Sequence, residues 1–206
     1  MNEIIKNILK KLYFMPGLLI NGANFILHGV KIPKGLECIG MTYIRNKGQI
    51  QLGKRIRIRS GFYSNPIGLG KRTILRTFKD GHISIGNHVK MSNVSICSAN
   101  KVMIEDEVMI GGGVCIYDTD FHSINPYIRM ELVPVKEVPK TNEVTIEYGA
   151  FIGAGSIILK GSHIGRYSVI GAGSVVSGTI PSCEIWGGNP ARFLRKLTKE
   201  ELNCKV

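Results

Sequence analysis

His122 is the side chain in this sequence best suited to moving a proton at neutral pH, since a free imidazole titrates near ~6.5. It stands in Tyr117-Asp-Thr-Asp-Phe-His122-Ser. A histidine acting as general base needs a partner to hold one ring tautomer, and Asp118 and Asp120 are both near enough in the chain to serve. The chemistry such a group supports is removal of a proton from an alcohol. The five cysteines, Cys38, Cys97, Cys115, Cys183 and Cys204, are odd in number and show no paired spacing. Reduced thiols in a cytoplasmic protein are the simplest reading of them.

The formal net charge is +12, from 27 Lys and Arg against 15 Asp and Glu. That balance asks for an anionic partner: an acidic lipid surface, a phosphate-rich small molecule or nucleic acid. Nucleic acid fits worst, because the basic residues are scattered and no stacking cluster of aromatics accompanies them. No apolar run reaches the roughly 20 residues that cross a bilayer. The start of the chain has no small-residue cleavage site of the kind a secretory signal carries.

His122 must be positioned by something, and the surrounding pattern says what. From Val144 to Ile180 the sequence repeats every six residues, with Ile146, Ile152, Ile158, Ile164, Ile170 and Val176 in one phase. Ala150, Ser156, Ser162, Ser168 and Ser174 follow the first five of these at a fixed offset of four. Helices repeat near 3.6 and flat strands at 2, so neither produces a period of six. A coil of three short flat faces does: each face sends one aliphatic side chain to a central column, a small residue fits the tight interior near the corner, and glycine permits the bend. A ragged version of the rhythm begins near Ile39, and a second block starts at Ile83. Four alternating segments, starting at Gln49, His82, Lys101 and Glu143, each look like the opening of a new coil. At 18 residues per turn these blocks predict an all-β, parallel β-helix of roughly five or six coils over residues 36–180, on the order of 25–30 Å long.

Residues 118–142, with Pro126, Pro134 and Pro139, interrupt two in-register blocks and must loop out. Long loops inside compact repeats tend to carry function. The two ends need caps, as solenoids do. Over 189–202, Asn189 reads as an N-cap, Pro190 as the first helical residue, and Phe193, Leu194 and Leu197 as one apolar face, which predicts a short C-terminal helix. Over residues 1–15, Ile4, Ile5, Ile8, Leu9 and Leu12 alternate with Lys6, Lys10 and Lys11, a basic amphipathic helix suited to capping, with membrane contact as its second use.

The stretch Ile164-Gly-Arg-Tyr-Ser-Val-Ile-Gly-Ala-Gly-Ser-Val-Val-Ser177, followed by Ile180-Pro181 and Gly188-Asn-Pro-Ala-Arg192, resembles the hexapeptide-repeat acyltransferases, in particular bacterial sugar O-acetyltransferases. The resemblance spans about residues 80 to 197 and implies a left-handed helix, an exception to the usual crossover hand. It further implies that His122 is the general base. Of the two nearby carboxylates, either of which could orient the imidazole, Asp118 is assigned to the catalytic set and Asp120 to the acceptor. Acetyl-CoA would lie in a groove between subunits of a homotrimer. Ala154 and Ala172 would offer backbone groups to the pantetheine arm, Ser177 would sit near the nucleotide, and Arg192 and Arg195 would meet the phosphates. Guanidinium groups suit that last task because their fork matches phosphate oxygens.

Members acting on small galactosides or maltose carry an acidic residue where this chain has Ala99-Asn100. The acceptor expected from the resemblance is therefore a larger glycan or lipid-linked sugar of a surface polysaccharide, acetylated in the cytoplasm or at the inner face of the membrane. Acetylation of an antibiotic or an amino sugar is the alternative acceptor chemistry. The same helix also builds metal-dependent carbonic anhydrase-like proteins, for which His82, His88 and His122 would be the ligands. The spacing of these histidines does not match that class, so no metal is expected.

Overall fold

The computed structural model describes residues 17, 19–61, 64–65, 71–134 and 137–202. Its strands are two to five residues long and wind through three sheets in turn. We call these A, B and C in the order the chain visits them. Sheets B and C each hold six strands and sheet A eight, so the prism has about six full coils. Within the coils every pairing is parallel, as between Met109–Ile110 and Phe151–Ile152 in sheet A.

The six-residue phase is the core. Ile146 pairs with Ile164 and then Ile180 in sheet C, Ile152 with Ile170 in sheet A, and Ile158 with Val176 in sheet B. All six repeat residues from Ile146 to Val176 are fully buried. Each such side chain contributes roughly 1.5–3 kcal/mol by leaving water. Ser156, Ser162, Ser168 and Ser174 are buried too, and a hydroxyl there has partners: Ser168 Oγ donates to Pro181 O at 2.7 Å and Ser174 Oγ to Gly171 O at 2.6 Å. Glycine is required where coils touch at a corner. A Cβ on Gly153 would lie 2.5 Å from the Ala172 amide nitrogen, closer than any real contact.

The four alternating segments are consecutive neighbours in sheet C: Gln49–Leu52, His82–Ile85, Lys101–Ile104 and Val144–Ile146. Ile104 pairs with Ile146, 42 residues on, whereas Ile146 pairs with Ile164 after 18. The excess is the loop, which leaves the prism at the corner between sheets B and C without shifting the core register.

The C-terminal cap differs from expectation. The helix expected over 189–202 is instead a strand, Arg192–Lys196, with a four-residue helix only at Lys199–Leu202. The strand pairs antiparallel with Glu184–Gly187, the last strand of sheet A. The physical reason is the open edge: unpaired N–H and C=O groups of a terminal coil demand partners, and a strand supplies them where a helix cannot. Phe193 adds an edge-to-face contact with Trp186 at 6.2 Å.

The basic helix expected over residues 1–15 lies outside the described residues. At that end the first coil is covered by a helix over 19–27, which we call α1, and it turns its polar side inward. Asn21 Nδ2 donates to Gly40 O at 2.7 Å, Asn21 Oδ1 accepts from Thr42 N at 2.9 Å, and Asn24 Nδ2 donates to Thr42 O at 2.8 Å. Phe25 is the one large apolar residue of this helix that is buried.

Candidate active site

The loop carrying His122 is closed at its root by an antiparallel ladder. Asn142 N donates to Asp118 O at 3.0 Å, Asp120 N donates to Lys140 O at 3.1 Å, and Thr119 bridges Thr141. Asp118 is fully buried, and its carboxylate accepts three hydrogen bonds. They come from Ser98 Oγ at 2.6 Å, Ala99 N at 2.7 Å and Asn100 N at 2.9 Å. This corrects the expectation that Asp118 orients the imidazole: its oxygens bind the turn of the preceding coil, and among the described residues no hydrogen bond joins it to His122. Thr77 does the same for an earlier coil, accepting from Lys47 N and Gly48 N at 3.0 and 2.9 Å. Thr77 and Ser98 are register partners, and Asp118 follows Tyr117 just as Ser98 follows Cys97. A polar residue recurring at that corner was the sequence signal for the capping role.

His122 is exposed, and among the described residues its ring makes no hydrogen bond. Its position is set through its neighbour. Phe121 has φ +64°, an uncommon value for a side chain of this size. Its ring packs edge-on against Tyr117 at 5.1 Å and tilted against Phe78 at 6.4 Å, and the Arg76 guanidinium lies 4.5 Å from the Phe78 centroid. Burial and the hydrogen bond to Cys115 push the Tyr117 hydroxyl pKa well above its usual range. This aromatic brace escaped the sequence reading because Phe78 stands two coils before Tyr117 and Phe121. The His122 N–H donates to Asp120 O at 2.8 Å, completing a tight turn.

The imidazole borders an open cavity of about 390 Å³ that the loop folds around, with Ser123, Arg129, Glu131 and Glu137 on its walls. Ser123 Oγ donates to Glu137, and Arg129 donates to the carbonyls of Ser123 and Ile124, which braces the polar part of the wall, while Phe121, Ile128, Val133, Pro134 and Pro139 make the rest apolar. Asp120 does not face an empty site: its carboxylate pairs with Lys160 Nζ at 3.1 Å, from the next coil of the same corner.

The remaining candidates lie elsewhere on the prism. Ala154 and Ala172 stack at the corner between sheets A and B, where Gly173 N donates to Ala154 O at 2.8 Å. Among the described residues neither alanine's own N–H enters that ladder. Ser177 is exposed at the corner between B and C, on the side of the His122 loop. In the terminal strand, the register shifts beside Ile185 and Trp186, so that Arg192 opposes Gly187 and Arg195 opposes Ile185. Gly187 and Ile185 are two apart, and the bulge therefore turns both arginines to one side, as a helix would have done. Arg195 is already in a forked pair with Glu201, at 2.7 and 2.8 Å, which holds the Glu201 carboxyl down to about 2.

The three histidines considered for a metal do not meet. His82 Nδ1 is 3.0 Å from Gln49 Oε1 and His88 Nδ1 is 2.6 Å from Glu107 Oε1, at opposite edges of sheet C. Among the described residues no three His, Cys, Asp or Glu side chains converge.

A prism of stacked hexapeptide coils, broken by a histidine-bearing loop, defines a class of transferases, and known proteins agree. Residues 143–178 match the model of the bacterial transferase hexapeptide family (six repeats). Crystal structures of a hexapeptide-repeat-containing acetyltransferase of Vibrio cholerae, one of them complexed with acetyl-coenzyme A, share 31% identity with this chain. One of these superposes with a TM-score of 0.52 over 60% of this chain and 68% of that one. The galactoside O-acetyltransferase of Lactococcus lactis is 30% identical over 73% of this chain and 65% of its own length. Gamma carbonic anhydrase 1 of Arabidopsis thaliana mitochondria is 36% identical over 46% of this chain and 38% of its own length. The chain thus spans less than two thirds of these curated relatives. It belongs to the hexapeptide-repeat acyltransferase family, and its prism is the left-handed parallel β-helix of that family.

Proposed function

We propose that this protein is an acetyl-CoA-dependent O-acetyltransferase acting on a sugar hydroxyl of a bacterial surface polysaccharide or its precursor. The observation that carries the reading is His122: an imidazole with no hydrogen bond among the described residues, at the mouth of a cavity, on a long loop that departs from a strict repeat. His122 accepts the proton of the acceptor hydroxyl as that oxygen bonds to the thioester carbonyl carbon. The carbon–sulfur bond breaks, and the imidazolium returns the proton to the leaving thiolate. Asp118 fastens the loop root to the preceding coil, and Asp120, held by Lys160, borders the acceptor side.

The residues present suit acetyl-CoA. The Ala154 and Ala172 amides can donate to pantetheine carbonyls, while Arg192, and Arg195 on exchange of Glu201 for phosphate, can meet the anionic end with Ser177 nearby. Ala154 and Ala172 lie on the far edge of sheet B from the His122 loop, and Ser177 on the near edge; the separation of the alanines from His122 supports a homotrimer, in which a neighbouring copy's corner would complete each site. Exposed Met109 and Phe151 on sheet A, Ile157 and Leu159 on sheet B, and Ile124, Tyr127 and Leu132 on the loop are apolar surface that such packing would cover. The outward row of sheet C, by contrast, is mostly polar, running Gln51, Ser84, Met103, Thr145 and His163. The larger acceptor follows from Ala99 and Asn100, whose amides cap onto Asp118 and which offer no carboxylate to a small sugar. A cytoplasmic location goes with the acetyl donor.

The test is thiol release from acetyl-CoA against a panel of glycan and sugar-nucleotide acceptors, with mass spectrometry of the product. His122→Ala should lower kcat by roughly 10²–10⁴, the usual worth of a general base, with the KM for acetyl-CoA nearly unchanged. Retention of more than about a tenth of wild-type kcat would place the base elsewhere.

A further inference from the structure

The outward side of α1 is apolar. Leu19, Ile20, Ile26 and Leu27 are 70, 51, 70 and 81% exposed, and with Ala23 they make the i, i+4, i+7, i+8 stripe of one helix face. Globular helices bury such a stripe, but here the opposite, amide-rich side caps the first coil. Ile32, at 44% exposure, lies just beyond the helix, between exposed Lys31 and Lys34.

Charge decides what this face fits. Residues 1–60 hold 11 Lys and Arg against 2 acids, Glu3 and Glu37, whereas residues 61–206 hold 16 against 13. Three quarters of the net charge of +12 therefore belongs to the α1 end of the chain. Glu37 is already paired with Arg57 and Arg59, at 2.9 and 2.8 Å, which leaves Lys31, Arg45 and Lys47 without an ion pair among the described residues, and Lys34, Lys54 and Arg55 beside a groove they share with Asp106 and Glu107. Two copies meeting through this end would press like charges together, so a second copy is the wrong occupant. An apolar stripe ringed by cations is the arrangement that lies in the headgroup layer of an anionic bilayer.

We propose that α1 is a membrane-docking surface, which sets the stack on end against a bilayer containing anionic lipids. The helix lies in the interface with Leu19, Ile20, Ile26 and Leu27 among the acyl-chain roots, and the lysines meet the headgroups. The contact is reversible, since a single short helix with a few cations binds weakly and loses grip as salt screens the charges. This inference stands apart from the reaction proposed above and uses none of its residues.

Co-sedimentation of the full chain with phosphatidylcholine vesicles, with and without about one third phosphatidylglycerol, tests it. The expected result is binding to the anionic vesicles at low salt, weakened about tenfold or more in neutral vesicles or at 1 M salt, where the Debye length falls to about 3 Å. Ile26→Glu with Leu27→Glu should abolish binding while leaving thermal unfolding and acetyl-CoA turnover unchanged, because both side chains already face water. If that pair lowers stability, Ile26→Gln with Leu27→Gln should weaken vesicle binding in the native protein. Absence of binding to anionic vesicles, or binding indifferent to the substitutions, would overturn the proposal. So would a concentration-dependent doubling of mass that the same substitutions remove, since the face would then join two copies.

Discussion

Replacing Asp118 separates a structural carboxylate from a catalytic one. In Asp118→Asn the shape is kept, but a carboxylate that accepts from Ser98 Oγ, Ala99 N and Asn100 N becomes an amide with one acceptor oxygen and an NH₂ group facing donors. Hydrogen bonds to a charged group are worth about 1.5–3 kcal/mol each, and a buried donor left unpaired costs about 1–3 kcal/mol. Oδ2 accepts from both Ser98 and Asn100, so with the amide oxygen in its place two of the three bonds are retained. The Ala99 N–H is left unpaired against the NH₂ group. One lost charged bond plus one unpaired donor gives an expected loss of roughly 3–5 kcal/mol. At about 2–4 °C per kcal/mol for a chain of this size, the midpoint of thermal unfolding should fall by roughly 6–20 °C. Activity measured well below that midpoint should fall only modestly, because His122 is held by the Phe121 brace rather than by this carboxylate. Differential scanning fluorimetry and acetyl-CoA turnover on the same preparation give both quantities. An unchanged midpoint with a loss approaching ~10⁴ in kcat, the signature of a lost tautomer-holding aspartate, would refute the corner-cap assignment.

Gly153→Ala should destabilise by about 1–3 kcal/mol, because its Cβ meets the Ala172 amide within the stack; urea unfolding reads this, and a neutral result would mean the corner can open. Arg192→Ala should raise the KM for acetyl-CoA more than it lowers kcat, in steady-state kinetics with acceptor saturating; a pure kcat loss would assign Arg192 elsewhere. Glu201 titrates near 2 because Arg195 donates to it, well below the ordinary value of 4.5. The pairing of the terminal strand to the last helix is thus fully present above pH 4.5 and lost as pH falls through about 2; carboxyl NMR showing an ordinary Glu201 midpoint would contradict the fork.

The repeat was legible in the sequence because one requirement recurs in every coil. A narrow prism has room for one aliphatic side chain per face, so Ile146, Ile152, Ile158 and Ile164 declare both the period and the core without reference to anything distant. His122 was legible for the complementary reason, since a loop that breaks a strict period is visible as an interruption. What each loop carboxylate does was decided by the tertiary structure. Asp118 is four residues from His122 but lies over Ser98, Ala99 and Asn100, which the winding of the coil brings to it from about twenty residues away. The same holds for the ends. Phe193, Leu194 and Leu197 satisfy a helical spacing, yet the open edge at Glu184–Gly187 offers hydrogen bonds only to a strand, and backbone pairing overrode local pattern. At the other end, the sequence drew attention to residues 1–15 rather than to the stripe Leu19, Ile20, Ile26 and Leu27. Only the structure shows that the asparagines face the protein and the leucines and isoleucines face out, because a coil's bare edge needs amides more than it needs oil.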